Sequence, residues 1–531
     1  MDDDVLGGGP ADPDAGGAAR PGPRNVVVIL LDSLNRHLLG AYGGDEFATP
    51  NLDGFAARAR RFTRHFAGSL PCIPARHDLL CGTLDFPWRP WGSVELWDEP
   101  LTRPLRRAGV TTQLVSDHPH LFESGGENYH VDFTAWDYQR GHESDPWKTV
   151  PDPSWMGAPS FHRGHMPYDD SRGWFRDEAD FPGPRTMAAA ARWLDDNAGR
   201  HERFLLLVDE FDPHEPFDTP EPYASMYDDT WEGPHLIWPP YAVGGIARGE
   251  LTEREGAQVR ACYGAKLTMI DAWFGRVLDA LDRHGLWDDT VVIVCTDHGH
   301  YLGERDLWGK PAVPLHEPLA HLPLLVWWPG DDVAGATCDA LTTTVDLHAT
   351  ILDVLGAATP GRTHGRTLVP LLRREVDRVR DHVLAGMWGH EVHLITDRHK
   401  YCRAPEGDNA PLSMWSNRWS TMPLHVTGID PEVVFPPPDD RAVLDHMPGS
   451  AIPVIRQPYR PGDLLPYWGY GTGHTHHLWD LVDDPEEGHD LAGAAAGSVA
   501  AALEADLAGA LRDALVAIDA PGEQLERLGL A

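Results

Sequence analysis

The sequence predicts an α/β fold: a mostly parallel sheet sandwiched by helices, followed by a smaller antiparallel-sheet domain with a closing helix. Three observations carry that expectation. Short, continuously apolar runs recur up to residue 329, the pattern of strands buried on both faces of a parallel sheet. Stretches with helical spacing fall between them. Beyond about residue 375 the texture changes to hairpins, Trp- and Pro-rich loops and one Ala/Leu-rich helix. A chain of 531 residues exceeds what one hydrophobic core commonly serves. The expected division is a tail over 1–24, a main α/β domain over 25–375 and a C-terminal α+β domain over 376–531.

The tail, "MDDDVLGGGPADPDAGGAARPGPR", is acidic and rich in Gly and Pro, so it should be disordered. "NVVVILLD" (25–32) is the first expected strand, and its apolar run is too short to span a bilayer. "TPNLDGFAARARRF" (49–62) reads as a helix with Thr49 as N-cap and Pro50 in the first turn. In "SLPCIPARHDLLCG" (69–82), Pro74 suits a first helical turn and Gly82 a helix end. Cys72 then sits at the positive end of the helix dipole, and Arg76 projects from the same face one turn on. That stretch is suited to holding an anion.

Further strands are expected at "VTTQLVS" (110–116), "RFLLLVDE" (203–210), "TVVIVCTD" (290–297) and "PLLVWWP" (323–329). A long helix should start near Thr252, with Glu255 completing a capping box and Val259, Ile270, Phe274, Val277 and Leu281 on its buried face. In the C-terminal domain "EVHLITDRHKYCR" (391–403) reads as a hairpin turning near Asp397–His399. Residues 476–493 look like a strand running into a loop, and 497–517 like an amphipathic helix. Between them 404–474 is an irregular insertion; with Trp415 and Trp419 in "SMWSNRWS", it is expected to line the mouth of a site, or else to serve folding or subunit contacts.

The formal net charge is -37, from 81 acidic against 44 basic residues, which argues against nucleic acid and against anionic lipid as partners. Six scattered cysteines without a CxxC pair, and no basic n-region ahead of an apolar h-region, point to a cytoplasmic protein with reduced thiols.

In open α/β sheets ligands gather at the carboxyl ends of strands. Three expected strands end in residues that suit one site: Asp32-Ser33; Asp209 followed by "DPHEPF" with His214; and "TDHGH" with Asp297, His298 and His300. Lys310 follows in "RDLWGK". Two aspartates and an imidazole can hold a divalent cation, while Lys310 and Arg76 can hold a tetrahedral oxyanion.

At these residues the chain resembles the formylglycine-dependent sulfatases of the alkaline phosphatase superfamily, which also include relatives acting on phosphonate monoesters. "CIPAR" matches the C/S-x-P-x-R signature. The likeness continues in order through "TPNLD" (49–53), "PHEPF" (213–217), "DHG" (297–299), "WGK" (308–310), "VDLHATILDVLG" (345–356), "HGRTLVPLL" (364–372) and "LWDLVDDPEE" (478–487). The resemblance implies an alkaline phosphatase-like sheet and makes the main domain the catalytic one. It implies that a formylglycine-generating enzyme oxidises Cys72 to formylglycine, whose hydrate attacks sulfur with one hydroxyl and releases sulfate through the other. Arg76 would stabilise that hydrate, and Lys310 and His214 would bind sulfate and assist the leaving group. "DHPH" (117–120) stands where the family has G-K-W-H, so His120 matches the family histidine and His118 replaces its lysine as a substrate contact.

Many sulfatases carry two aspartates after the first strand; here Ser33 follows Asp32. The implied metal ligands are Asp32, Asp297, His298 and the residue-72 oxygen. Ca²⁺ is the ion first implied, with Mn²⁺ or Zn²⁺ as alternatives because one ligand is nitrogen. His300, where the family more often has glutamate, is either a catalytic or a supporting residue; His37, Asp117 and Arg305 are near-site candidates, and Cys81 belongs to the core. Three functions stay open: hydrolysis of a small organic sulfate ester, hydrolysis of a phosphonate monoester or phosphodiester in the same site, and an inactive binding protein in which Cys72 stays a thiol. Subunit number is not legible.

Overall fold

Asn25–Leu31 (β1) lies in the middle of the main sheet and is buried along its whole length, as a continuously apolar strand requires. The computed structural model describes residues 22–531 apart from 124, 153–166, 312–313, 332, 420–437 and 467–474. The expected acidic tail lies outside the described residues as far as residue 21. In chain order the next strands are Arg60–Phe66 (β2), Thr111–Ser116 (β3), Ala135–Tyr138 (β4), Phe204–Glu210 (β5) and Ala242–Val243 (β6). Thr290–Cys295 (β7), Tyr301–Leu302 (β8), Leu307–Gly309 (β9), His321–Trp327 (β10), Thr337–Cys338 (β11) and Thr342–Thr343 (β12) follow.

Across the main sheet the order is β11-β2-β10-β7-β1-β5-β3-β4, with β12 also paired to β2. β1 runs parallel to β5 and β7, and β3 runs parallel to β4 and β5. β10 is antiparallel to both its neighbours, so the sheet is mostly rather than wholly parallel. Alternate residues of β1 feed two cores, which is what two-sided burial means for a period of two. Val27, Ile29 and Leu31 join Phe274, Val277 and Leu281 of the long helix on one face. Val26, Val28 and Leu30 join Ile73, Leu79 and Leu80 on the other. Val26 through Ile29 are fully buried, each stabilising the fold by about 1.5–3 kcal/mol.

Pro50–Ala56 forms helix α1 and Cys72–Cys81 forms α2. Pro182–Asn197 is α3 and Glu253–Arg283 is α4, whose Thr252 and Glu255 make the expected reciprocal cap. Thr344–Val354, α5, packs on α2. One expectation fails here: the helix opening at Thr49 does not reach residue 62. Arg60–Phe66 is instead strand β2, because pairing with β10, β11 and β12 overrides a run that fits helical spacing equally well. Thr49 also makes no side-chain cap; its hydroxyl donates to Asp53 Oδ1 at 3.3 Å.

Beyond the main domain come Val383–Gly386 (β13), Val392–Ile395 (β14), His399–Arg403 (β15), Leu412–Trp415 (β16), Val443–His446 (β17), Pro453–Tyr459 (β18) and His477–Asp480 (β19). β13-β14-β15-β19 is an antiparallel sheet containing the expected hairpin. Val499–Ala517, α6, closes it by burying Leu507, Leu511 and Leu515 against Leu394, Tyr401 and Leu478. The stretch 404–474 is not simply irregular: β16-β18-β17 is a second antiparallel sheet, whose short strands carry no long apolar run. Trp415 packs with Trp88, Met447 and Val454, and its Nε1 donates to Asp445 Oδ2 at 2.9 Å. Trp419 packs with Trp388 and Tyr459. These tryptophans pack into the small sheet, as the folding role would have it, while residues 420–437 and 467–474 of the insertion lie outside the described residues. The two domains meet just ahead of α2, where Leu70 N donates to Gly386 O and Gly386 N to Gly68 O, both at 3.0 Å. Among the described residues no helix is long and apolar enough to cross a membrane.

Candidate active site

The site forms where β1, β5 and β7 end side by side and the N-terminus of α2 points across them. Cys72 is the first residue of α2, which ends at Gly82 in the left-handed region at φ 70°, a conformation that favours glycine. Asp78 anchors the helix to its approach loop by accepting from Ser69 N at 2.6 Å and from Ser69 Oγ at 2.8 Å.

Arg76, one turn after Cys72, is buried among three strand-end carboxylates. Its Nε and Nη2 grip Asp209 at 3.0 and 2.7 Å, and its Nη1 donates to Asp297 Oδ2 at 2.7 Å. Its Nη2 lies 2.9 Å from Asp32 Oδ2, and its Nη1 also donates to the Cys72 carbonyl at 3.2 Å. The guanidinium therefore orients these carboxylates and the start of α2 and has no fork left for a second anion, which corrects the expectation that it holds a substrate oxyanion directly.

Asp32, Cys72, Asp297 and His298 each offer one ligand atom, all within 4.8 Å of one another and all buried. His298 Nδ1 donates to the Gly299 carbonyl at 2.8 Å, which leaves the Nε2 lone pair facing Cys72 Sγ at 3.0 Å. Burial pushes His298 down to about 4, so the ring is neutral and free to ligate. Burial, followed by repulsion from Asp297, raises Asp32 well above the usual carboxylate range. Asp297 stays below that range against the cost of burial because His298 and Arg76 face it. Ser33 stands at φ 62° with its Oγ donating to Asp32 Oδ1 at 2.8 Å and its N donating to Asp297 Oδ1 at 3.2 Å, so it braces the carboxylates.

Lys310 follows β9, which is clamped between β6 and β8, and its Nζ stands 4.0 Å from Cys72 Sγ and 3.5 Å from Ser33 Oγ. Nearby Cys72, Glu215 and Asp32 hold it charged against the cost of burial. His214 Nδ1 donates to the Glu215 carbonyl at 2.7 Å, and its Nε2 meets Lys310 Nζ at 2.6 Å. Burial pushes His214 down to about 3, so its Nε2 accepts from the lysine. Burial and the Asp32 charge push the Cys72 thiol well up, the reverse of what a thiolate nucleophile needs.

Thus the structure brings together Asp32, Cys72, Arg76, His214, Asp297, His298 and Lys310 as expected, with His118 beside Asp32 at 3.7 Å. His118 is neutral, held well below its usual range by burial and then by Arg76. His120 stands one ring farther out, 5.2 Å from the His118 ring, with both nitrogens facing carboxylates: Glu123, and Glu143 at 3.0 Å. His300 faces Glu215 at 3.3 Å rather than Cys72. His37 and Arg305 border a surface cavity, and Asp117 accepts from Phe211 N at 2.8 Å. Cys81 is core, as expected. A second grouping, His77, Cys81 and Asp98, lies at the far end of α2. There Asp98 faces His77 at 3.1 Å and Arg89 at 3.4 Å, while Arg89 also pairs with Asp85 and Glu95, so its carboxylates already have cations. Sequence reasoning assigned no role to Glu215 and none to Asp209 beyond its strand end; Asp209's only signal was that position, 133 residues from Arg76.

A family model described as "Sulfatase" matches residues 24–357. Choline-sulfatase of Rhizobium meliloti is 28% identical over 387 residues, covering 66% of this chain and 72% of the relative. The multifunctional alkaline phosphatase superfamily protein PehA of Trinickia caryophylli is 28% identical over 411 residues, covering 66% and 77%. In fold, the chain matches the phosphonate monoester hydrolase of Agrobacterium radiobacter with a TM-score of 0.63 at 20% identity, covering 94% of this chain and 95% of that one.

Proposed function

The chain belongs to the sulfatase family, and we propose that it cleaves an organic sulfate monoester to alcohol or phenol plus sulfate, through an oxygen nucleophile made from Cys72 and with one divalent cation. The carrying observation is Cys72 at the α2 N-terminus, between the Asp32, Asp297 and His298 set on one side and the Lys310–His214 pair on the other. A thiol buried beside carboxylates is a poor nucleophile, so the residue fits a modified role better than its native one. The formylglycine hydrate supplies an attacking hydroxyl and a second hydroxyl through which sulfate is later released.

The residues fit a cation. Burial and then repulsion between the two carboxylates raise Asp32, both of which a cation would relieve, and the free Nε2 of His298 completes a donor set of oxygen and nitrogen. Asp32, Asp297, His298 and the residue-72 oxygen would hold it. When bound, it would polarise oxygen at residue 72 and offset charge on the ester; Ca²⁺ suits the carboxylates, and Mn²⁺ or Zn²⁺ the imidazole. Around it the protein's own groups divide the work. Arg76 fixes the carboxylates and the start of α2, Ser33 braces Asp32, and Lys310 offers a full positive charge to a sulfate oxygen. His214, neutral, accepts from Lys310 through Nε2 and orients that ammonium, whose proton can pass to the departing oxygen.

A second reading keeps this site and places a phosphonate monoester or phosphodiester in it. The likeness to a relative described as a multifunctional alkaline phosphatase superfamily protein supports it, since the three esters are all monoanions that the same cations can hold. The test has two parts. Trypsin should release residues 65–76 as one peptide from protein made with its maturing enzyme, carrying an aldehyde at residue 72, and the active protein should contain one stoichiometric divalent metal. Turnover of an aryl sulfate is then compared with an aryl phosphonate ester. Unmodified cysteine in fully active protein would overturn the mechanism, and preference for the phosphonate would select the second reading.

A further inference from the structure

Glu215 is a fully buried carboxylate for which no role follows from the sulfate-binding or metal-binding residues. It follows His214 directly, and its surroundings are unusual. Oε1 accepts from the Tyr241 hydroxyl. Oε2 makes no hydrogen bond of good geometry, yet it lies in the angle between three nitrogens: His300 Nε2 at 3.3 Å, His214 Nδ1 at 3.4 Å and Lys310 Nζ at 4.0 Å. Its own carbonyl accepts from His214 Nδ1 at 2.7 Å. One residue thus fixes the His214 ring twice, through its backbone and through its charge.

This matters because of which nitrogen is left over. With Nδ1–H spent on the Glu215 carbonyl, His214 Nε2 is the acceptor, and the 2.6 Å contact with Lys310 Nζ holds a single proton between the two groups. The ring cannot turn away, since Phe211 stacks on it at 4.1 Å with an 18° interplanar angle. A buried charge 4.0 Å from an ammonium in a water-poor site acts far more strongly than at a surface. Its loss would leave Lys310 free to swing towards Ser33 and Asp32, away from the fixed His214 ring.

We propose that Glu215 is a positioning residue for leaving-group departure, holding the Lys310–His214 proton couple against the ester oxygen that departs. The proposal rests on the esterase reading above. In the step concerned, an oxygen on residue 72 forms a bond to sulfur or phosphorus while the bond to the ester oxygen breaks. The freed electron pair takes the proton held between Lys310 and His214, and solvent returns a proton to the couple before the next turnover. His214 and Lys310 hold Glu215 well below the usual carboxylate range against the cost of burial, so the negative charge is in place throughout.

A donor of this kind matters most when the leaving group is a poor one. The test is a series of esters from 4-nitrophenyl to simple alkyl, prepared as sulfates and as phosphonates, with wild type and Glu215→Gln, a variant that keeps the Tyr241 hydrogen bond and the volume. Single-turnover rates for the nitrophenyl ester should stay within about threefold, while those for alkyl esters should fall by about 100-fold or more, the low end of what a positioned proton donor contributes. Glu215→Asp, which keeps the charge, should recover most of the alkyl rate. Metal content and melting temperature of each variant report separately on folding. Should Glu215→Gln fail to fold, Tyr241→Phe removes the hydrogen bond that fixes the carboxylate and should show the same selective loss on a smaller scale. Equal loss across the series, or no rescue by aspartate, overturns this role and leaves the esterase reading standing. Failure of wild type to turn over either series removes both.

Discussion

Replacing Arg76 with lysine keeps one positive charge but removes the fork that holds three buried carboxylates in place. The guanidinium grips Asp209 through two nitrogens, donates to Asp297 at 2.7 Å and lies 2.9 Å from Asp32. An ammonium carries its donors on one atom and cannot span the three. A lysine that keeps one partner leaves two carboxylates uncompensated. Hydrogen bonds to charged groups contribute about 1.5–3 kcal/mol each, so losing two costs about 3–6 kcal/mol, in line with about 3–5 kcal/mol for breaking a buried pair. Unfolding entropy near 2.1 cal/mol/K per residue gives a domain of about 350 residues roughly 0.7 kcal/mol/K, so a loss of about 4 kcal/mol lowers Tm by about 5–6 °C. Turnover should fall at least about 100-fold, because misplacing α2 and the carboxylates by even 1 Å has that effect. Thermal melts and kcat/KM measured on the same matured preparation check both. A variant melting within about 1 °C of wild type, with kcat/KM within about threefold, would refute the claim that the fork organises the site.

Two further outcomes concern stability. His120 is raised to about 10 by Glu123 and Glu143 against the cost of burial, so its stabilisation is complete below its unfolded value near 6.5 and is lost as pH rises through about 10. Glu143, lowered to about 2 by His120 against the cost of burial, contributes above its unfolded value and loses that contribution as pH falls through about 2. The Tm gap between wild type and His120→Gln should therefore be widest between about pH 4.5 and 6.5 and should close towards pH 10; a gap independent of pH would show that His120 is not held as a cation. Trp415→Ala should cost about 3–5 kcal/mol in thermal or denaturant unfolding and leave KM unchanged, because the ring fills a core beside Trp88; a raised KM at unchanged stability would restore it to the substrate path.

How much of this was legible in the sequence depended on range. The main strands could be read because β1, β5 and β7 are continuously apolar, and the polar residues at their ends could then be placed at one edge of one sheet. β2 could not, since "RRFTRHF" owes its strand state to partners more than two hundred residues away. The small sheet around Trp415 escaped notice because its edge strand β17 is largely exposed and carries no apolar signal. Within the site, residue identities were visible but their pairings were not. Arg76 looked like an anion ligand until Asp209, Asp297 and Asp32 were seen to occupy it, and the two glutamates that face the His120 ring left no sign in the motif around it. Which charge belongs to which partner is settled by tertiary contact, and composition near a motif carries no trace of it.

That Arg76 is occupied changes which groups meet the substrate. Lys310, the α2 N-terminus and the proposed cation are left to attract the anion, all within a few ångströms of residue 72. Beyond them the protein is strongly acidic, with a formal net charge of -37. At moderate salt the screening length is about 10 Å, so a single sulfate inside the pocket responds to the near cations, while a sulfated chain several sugars long also meets the acidic exterior. A small, singly charged ester is therefore the expected substrate. Measured over a salt series, kcat/KM for an aryl sulfate should barely change, while that for a sulfated oligosaccharide should start far lower and rise as repulsion is screened. Faster turnover of the oligosaccharide at low salt would mean that a local basic surface, rather than the net charge, governs the approach.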